Sequence, residues 1–247
     1  MSENPDPLAD RYDRLYGRQS GHAAVVRVQG WPRHRNEAVV HLVEGGGRLL
    51  EIGCGGGALL STLGASFGEA VGIGPSRMRA EQARKNLAGM PNCRIVGEPL
   101  ERLPALIEES FDCIVWADVI EHVVDVVGAM RLIASMSRPG TQLITVTPNA
   151  AYLFQRLRSL LGHAPNTSLP SHRNEGFAAT PSGTVLLDGG HLHYFTFRQV
   201  VMLYEIAGFR PTRRLGFGRR LSRLRNVWPT LLSGAACVSG IYQGAGG

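Results

Sequence analysis

The stretch RLLEIGCGGG, Arg48 to Gly57, constrains the fold more than any other part of this chain. A short, mainly apolar run, 48–53, leads into closely spaced glycines. Apolar residues at consecutive positions suit a strand buried on both faces, as in a parallel sheet covered by helices. The glycines let the backbone bend sharply and approach a ligand closely. ALLSTLGASF follows with a helical pattern, so the unit reads as strand, tight turn and helix.

That unit repeats. EAVGIG (69–74), RIVGE (94–98), FDCIVWA (111–117) and QLITVTP (142–148) are the next expected strands. Between the second and third, Ser76 caps a helix with Ala80, Ala83 and Leu87 on one face. Between the fourth and fifth, Val123, Val126, Val127, Met130, Ile133 and Ala134 recur at helical spacing, and Pro139-Gly140 stops the helix. Alternating strands and helices predict an α/β, doubly wound, mostly parallel sheet with helices on both faces. Its ligands belong beyond the carboxyl ends of the strands, near the topological switch point.

Residues 1–20 read as a helical segment anchored by Tyr12 and Tyr16, and 33–44 as a second helix. This divides the chain into an N-terminal helical segment, 1–45, and the sheet domain, 46–247. Within the latter, 149–195 holds one apolar segment, AYLFQRLRSLLG, then a polar stretch rich in Pro, Ser, Asn, Gly and His. A connection of that length is expected to be a lid inserted between the fifth strand and the next helix. Thr196 and Gln199 then form a capping box, Val200, Leu203, Tyr204 and Ala207 line one helix face, and Gly208 ends it. RPTRRLGFG and ACVSGIYQG read as two final strands flanking 218–233.

With 247 residues, 44% of them hydrophobic, the chain can fill one such domain plus a lid. No apolar run is long enough to span a bilayer, and the polar N-terminus has no signal-peptide core. Cys54, Cys93, Cys113 and Cys237 form no metal-ligand spacing and read as reduced thiols of a cytoplasmic protein. The net charge of +6 is almost entirely arginine, gathered late at Arg210, Arg213, Arg214, Arg219, Arg220, Arg223 and Arg225. A solvated face is the plainer reading; phosphates or an anionic membrane are the other. RLRNVWPTLLSGAACVSG could touch a membrane interface through Trp228, Leu231 and Leu232, but reads better as a last sheet hairpin with a buried face.

Glu51, two positions before Gly53, narrows the ligand. A carboxylate at that strand end repels a pyrophosphate and suits a cationic amino acid and sulfonium. The glycine loop alone also fits a dinucleotide through Ala58, but Gly74-Pro75-Ser76 offers no ribose reader for a nicotinamide cofactor.

Taken together, 48–149 resembles the class I S-adenosylmethionine-dependent methyltransferases. The similar subset carries D-x-x-E-H after the fourth strand, here Asp118 to His122, and P-G…T-P-N around the fifth, here Pro139-Gly140 and Thr147-Pro148-Asn149. GGHLHYFTFRQVVMLYEIAGF resembles the same subset after its lid. The resemblance implies a Rossmann-like seven-stranded sheet whose last strand is antiparallel. It implies that Glu51, Gly53, Cys54, Gly55 and Gly57 surround the methionine part of S-adenosylmethionine, that Glu98 meets the adenine, and that Ala117 and Asp118 contribute at the fourth strand's end. At the end of the second strand the family carries an acidic residue for the ribose hydroxyls. This chain departs from it with Gly74, followed by Pro75 and Ser76.

Methyl transfer requires alignment of nucleophile, methyl and sulfur, and a hydroxyl acceptor must also lose its proton. Asp118, Glu121 and His122 fall on one face if they start a helix, where they could hold Mg²⁺ or another divalent ion, as in relatives acting on quinol precursors or RNA ends. The same residues could equally cap and pack that helix. His191 and His193 are candidate bases or substrate contacts, His122 is a further catalytic candidate, and His172, Arg173 and Asn149 are weaker lid candidates. The expected function is O-methylation of a small molecule, sugar or lipid-linked acceptor. A catalytically silent partner with the same fold and an RNA methyltransferase are the alternatives, nucleic acid being the less favoured acceptor. The sequence leaves the oligomeric state open.

Overall fold

A computed structural model describes residues 7–16, 25–167, 177–179, 183 and 185–244. His172 and Arg173 lie outside the described residues, as does the side chain of Tyr16. The strands are Arg48–Ile52 (β1), Glu69–Ile73 (β2), Cys93–Val96 (β3), Phe111–Ala117 (β4), Ser137–Pro148 (β5), Phe177–Ala179 (β6), Val185–Leu187 (β7), Phe209–Leu215 (β8) and Ala235–Tyr242 (β9). The helices are Pro7–Tyr16 (α1), Arg35–Leu42 (α2), Leu60–Leu63 (α3), Arg77–Asn86 (α4), Val126–Ser135 (α5), Leu153–Leu160 (α6), Phe197–Ile206 (α7), Ser222–Arg225 (α8) and Pro229–Leu232 (α9).

Seven strands form one sheet in the order β3-β2-β1-β4-β5-β9-β8. Neighbours from β3 to β5 are parallel, and β9 runs antiparallel to β5 and β8. This is the expected doubly wound sheet with an antiparallel last strand. The order reverses between β1 and β4, so the loops leaving those two strands open the crevice where a ligand belongs.

Alternation along β1 builds two cores. Leu50 and Ile52 join the face packed by α5 and α7, whereas Leu49 joins the face packed by α2, α3 and α4. Glu51 therefore points to the α2 side with Leu49. β4 divides likewise, Ile114 and Trp116 to one core and Cys113 and Val115 to the other.

Several expectations change in detail. The helix expected after the glycine loop is only Leu60–Leu63, followed by a 3₁₀ turn at Gly64–Ser66. Asp118 to His122 do not start an α-helix: Asp118 has φ of 54° and Ile120–His122 is a 3₁₀ turn, with α5 starting at Val126 after the Asp125 cap. Pro139-Gly140 does not end α5, which stops at Ser135; β5 already includes both residues. The tail is not a simple hairpin. Between β8 and β9 lie two short helices that leave Leu221, Leu224, Val227 and Trp228 exposed, whereas Phe217 and Ser233 on either side of them are buried, as is most of β9. The capping box at Thr196 and Gln199 forms as expected.

Candidate active site

The glycine loop is tied to β2. The N–H groups of Gly53 and Cys54 both donate to Ile73 O, at 2.7 and 3.1 Å. Gly53, Gly55 and Gly57 all adopt positive φ, the conformation the loop required of them. At Gly53 the need is also steric, because a Cβ would lie 2.3 Å from Val119 Cγ2. The loops after β1 and β4 thus meet at the crevice.

Glu51 is buried there, and its Oε2 has no hydrogen-bond partner. Burial pushes its carboxyl up to about 8, against the pull of the Leu60 N–H and the Arg35 guanidinium. An orphaned, desolvated carboxyl beside bare backbone fits a cationic amino-acid group, so the residues present suit the methionine part of the donor. Cys54 is buried beside it, and burial and the Glu51 charge raise its thiol.

Arg35, on α2, forms an ion pair with Asp118 at the end of β4. It was not legible as a site residue, since nothing in its local sequence marks it. Ala117 is half-buried at that strand end, and the Asp118 N–H donates to Val146 O at 2.8 Å. Gly74, Pro75 and Ser76 follow β2, with Ser76 accepting from Arg79 N as the cap of α4. Glu98 is half-buried in the loop after β3. All expected cofactor residues therefore lie along the carboxyl edge of the sheet.

An open cleft of about 890 Å³ is lined by Arg33, Arg35, Asp118, Tyr152, Thr167 and Arg225 among others. Glu121, His122 and His191 bring one ligand atom each within 4.8 Å of one another. Glu121 is buried; its Oε2 accepts from Thr147 Oγ1 at 3.0 Å and its Oε1 has no hydrogen-bond partner. Burial first, then Asp118, raise its carboxyl to about 7. His122 Nδ1 lies 3.2 Å from Gly190 O, and burial and the neighbouring His191 lower its pKa. Asp118 instead pairs with Arg35, so the structure groups His191, not Asp118, with Glu121 and His122.

The His191 tautomer follows from its partners. Asp188 is fully buried and accepts from the Thr167 N–H and, at 2.6 Å, from the Thr167 hydroxyl. With its proton directed to Asp188, that hydroxyl accepts from His191 Nδ1 at 2.7 Å. The lone pair is then left on Nε2, 4.0 Å from Glu121 Oε1. Asp188 and Thr167 were missed in the sequence because the link runs through Thr167, 24 positions from His191 in the chain. His193 Nε2 lies 2.9 Å from Val123 O, and Asn149 is buried, donating to Thr230 O and Ser233 O. Both are tied to backbone.

Residues 10–213 match a protein-family model described as "Methyltransferase domain". The human mitochondrial ubiquinone biosynthesis O-methyltransferase is 28% identical over 166 residues, covering 65% of this chain and 44% of that protein. The ubiquinone biosynthesis O-methyltransferase of Sinorhizobium medicae is 35% identical over 106 residues, 41% of each chain. The chain thus spans less than half the length of these curated relatives. Among solved structures, the YcgJ protein of Bacillus subtilis superposes with a TM-score of 0.57 at 15% identity, over 83% of this chain and 96% of that one. The mitomycin 7-O-methyltransferase MmcR does so with 0.54 at 18% identity, over 84% and 53%.

Proposed function

Because this chain belongs to the methyltransferase-domain family, with the class I S-adenosylmethionine-dependent fold, we propose that it transfers a methyl group from S-adenosylmethionine to a hydroxyl of a small-molecule acceptor. The observation that carries the reading is the buried Glu51, one oxygen unpartnered, beside the positive-φ glycine loop at the switch point. Its ionised form there is stabilised by a cation and not by a diphosphate. That both relatives are O-methyltransferases supports oxygen as the methylated atom.

The donor supplies an electrophilic methyl on positive sulfur; the chain's work is alignment and proton removal. Glu51 would hold the ammonium of the methionine part, and Arg35, paired with Asp118, would hold its carboxylate. His191, fixed as the Nδ1–H tautomer by Thr167 and Asp188, offers Nε2 to the acceptor proton. Thr167 also lines the cleft, which links this relay to the acceptor side. The segment 149–195 serves as the lid, since it supplies Thr167, Asp188 and His191.

The unpartnered Oε1 of Glu121 favours a second reading of the same cluster, in which Glu121, His122 and His191 hold a divalent ion. Two imidazoles and one carboxylate suit a first-row transition ion better than Mg²⁺. Such an ion lowers the pKa of a bound hydroxyl.

The acceptor class follows from the surface beside the cleft. α6 exposes Leu153, Phe154, Leu157 and Leu160, and α8 with the residues flanking it exposes Leu221, Leu224, Val227 and Trp228. Arg225 joins the two, its guanidinium 5.6 Å from the Tyr152 ring centroid. Exposed apolar side chains among arginines fit an anionic lipid surface and an apolar acceptor drawn from it. No helix among the described residues is long and apolar enough to cross a membrane.

Calorimetry with S-adenosylhomocysteine, followed by transfer of labelled methyl to a panel of hydroxylated aromatic and lipid acceptors, tests the proposal. Micromolar binding and an O-methylated product are expected. No binding at millimolar ligand, or retention of a dinucleotide instead, overturns it.

A further inference from the structure

β2 ends without a carboxylate. In doubly wound sheets that bind a nucleoside, an acidic residue beyond the second strand accepts hydrogen bonds from the ribose. Here that place is Gly74, and it is not crowded: a Cβ there would meet nothing nearer than Cys54 N and Gly53 Cα, both at 4.0 Å. Sterics therefore do not explain the missing side chain.

A carboxylate nevertheless reaches this strand end from another element. α1 packs on α4 and brings Asp13 to the turn that follows Gly74. Asp13 Oδ1 accepts from the Ser76 hydroxyl and, at 3.1 Å, from the Met78 N–H. Ser76 in turn accepts from Arg79 N at 3.2 Å. The two bonds hold the Asp13 carboxylate against the first turn of α4. Both use Oδ1, and among the described residues no hydrogen bond is recorded on Oδ2.

We infer that Asp13 supplies from α1 the ribose-binding carboxylate that β2 lacks, with Oδ2 accepting from a ribose hydroxyl of the bound donor. The inference rests on the S-adenosylmethionine reading above. It gives α1 a role in binding, since the group that reads the ribose travels with that helix. Donor binding then orders α1 against α4.

The test compares S-adenosylhomocysteine with its 2′,3′-dideoxy analogue by calorimetry on the full chain. The wild type is expected to prefer the hydroxylated ligand by about tenfold or more, as for a hydrogen bond to a charged acceptor. Asp13→Ala is expected to erase that preference while leaving the affinity for the dideoxy analogue unchanged. Gly74→Asp added to Asp13→Ala is expected to restore it, because the open space at Gly74 admits a carboxylate. Amide exchange in 7–16 is expected to slow when S-adenosylhomocysteine is added to the wild type, and not with Asp13→Ala. Asp13→Ala that keeps the full preference overturns the inference, and so does equal weakening of both ligands, which marks Asp13 as merely structural. A wild type that binds neither ligand overturns the cofactor reading and this inference with it.

Discussion

Glu121, after β4, and His191, ahead of α7, come together with Oε1 of one 4.0 Å from Nε2 of the other. Neither atom has a better partner among the described residues, and His122 completes the group. If the cluster holds an ion, chelator-treated protein takes up one Mn²⁺ or Zn²⁺ per chain by calorimetry. Glu121→Gln then weakens uptake by about tenfold or more, whereas Asp118→Asn changes it little, because Asp118 pairs with Arg35. Chelator-insensitive methyl transfer with no uptake removes the ion and leaves His191 as the base.

Gly53→Ala is expected to destabilise the fold by about 2–4 kcal/mol, combining the left-handed backbone penalty with overpacking against Val119. Urea unfolding measures this. A loss below about 0.5 kcal/mol would show that the loops after β1 and β4 are not packed this closely.

The Glu51 carboxyl is raised to about 8 by burial, from an ordinary value of 4.5. The native state therefore keeps a proton that the unfolded chain releases, so its contribution to stability declines as pH rises from about 4.5 to about 8 and then levels off. Glu51→Gln is expected to flatten this slope in urea midpoints. A cationic ligand beside Glu51 favours the ionised form, so S-adenosylhomocysteine affinity rises toward pH 8 with proton release, read as a dependence of binding enthalpy on buffer. Absence of proton uptake or release at pH 7 would contradict this placement of the ligand.

The Tyr204 hydroxyl lies 2.9 Å from both Thr145 Oγ1 and Val238 O, fully inside the sheet–α7 core. Tyr204→Phe is expected to cost about 1–3 kcal/mol in stability by leaving buried acceptors unpaired. Donor affinity is expected to stay unchanged, since α7 does not line the crevice. A change in affinity with unchanged stability would reverse that division of labour.

Vesicle flotation checks the apolar surface on α6 and α8. Binding is expected to vesicles containing phosphatidylglycerol and not to pure phosphatidylcholine, and to weaken as salt screens the arginines. Leu157→Asp with Trp228→Ser is expected to abolish it without altering donor affinity. Equal recovery of wild type and double variant with the vesicles would dismiss this surface.

The strands were legible because burial writes a short-range pattern. β1, β2 and β4 lie within a residue of their expected bounds, and the turn glycines declare themselves by φ values that other residues resist. Glu51 was legible for a related reason: a charge in an apolar run requires an explanation. The 3₁₀ turn at Ile120–His122 was not, since a D-x-x-E-H string carries no local signal for or against a full helical turn.

Sequence alone determined the alternation of buried strands and helices, the bend after β1 and the carboxyl group placed beside it, because these depend on neighbours a few residues away. Tertiary structure alone decided that Arg35 meets Asp118, that Thr167 and Asp188 orient His191, and that Asp13 comes to rest at Ser76. Those pairings join segments far apart in the chain, and their geometry exists only after the sheet has brought the segments to one edge.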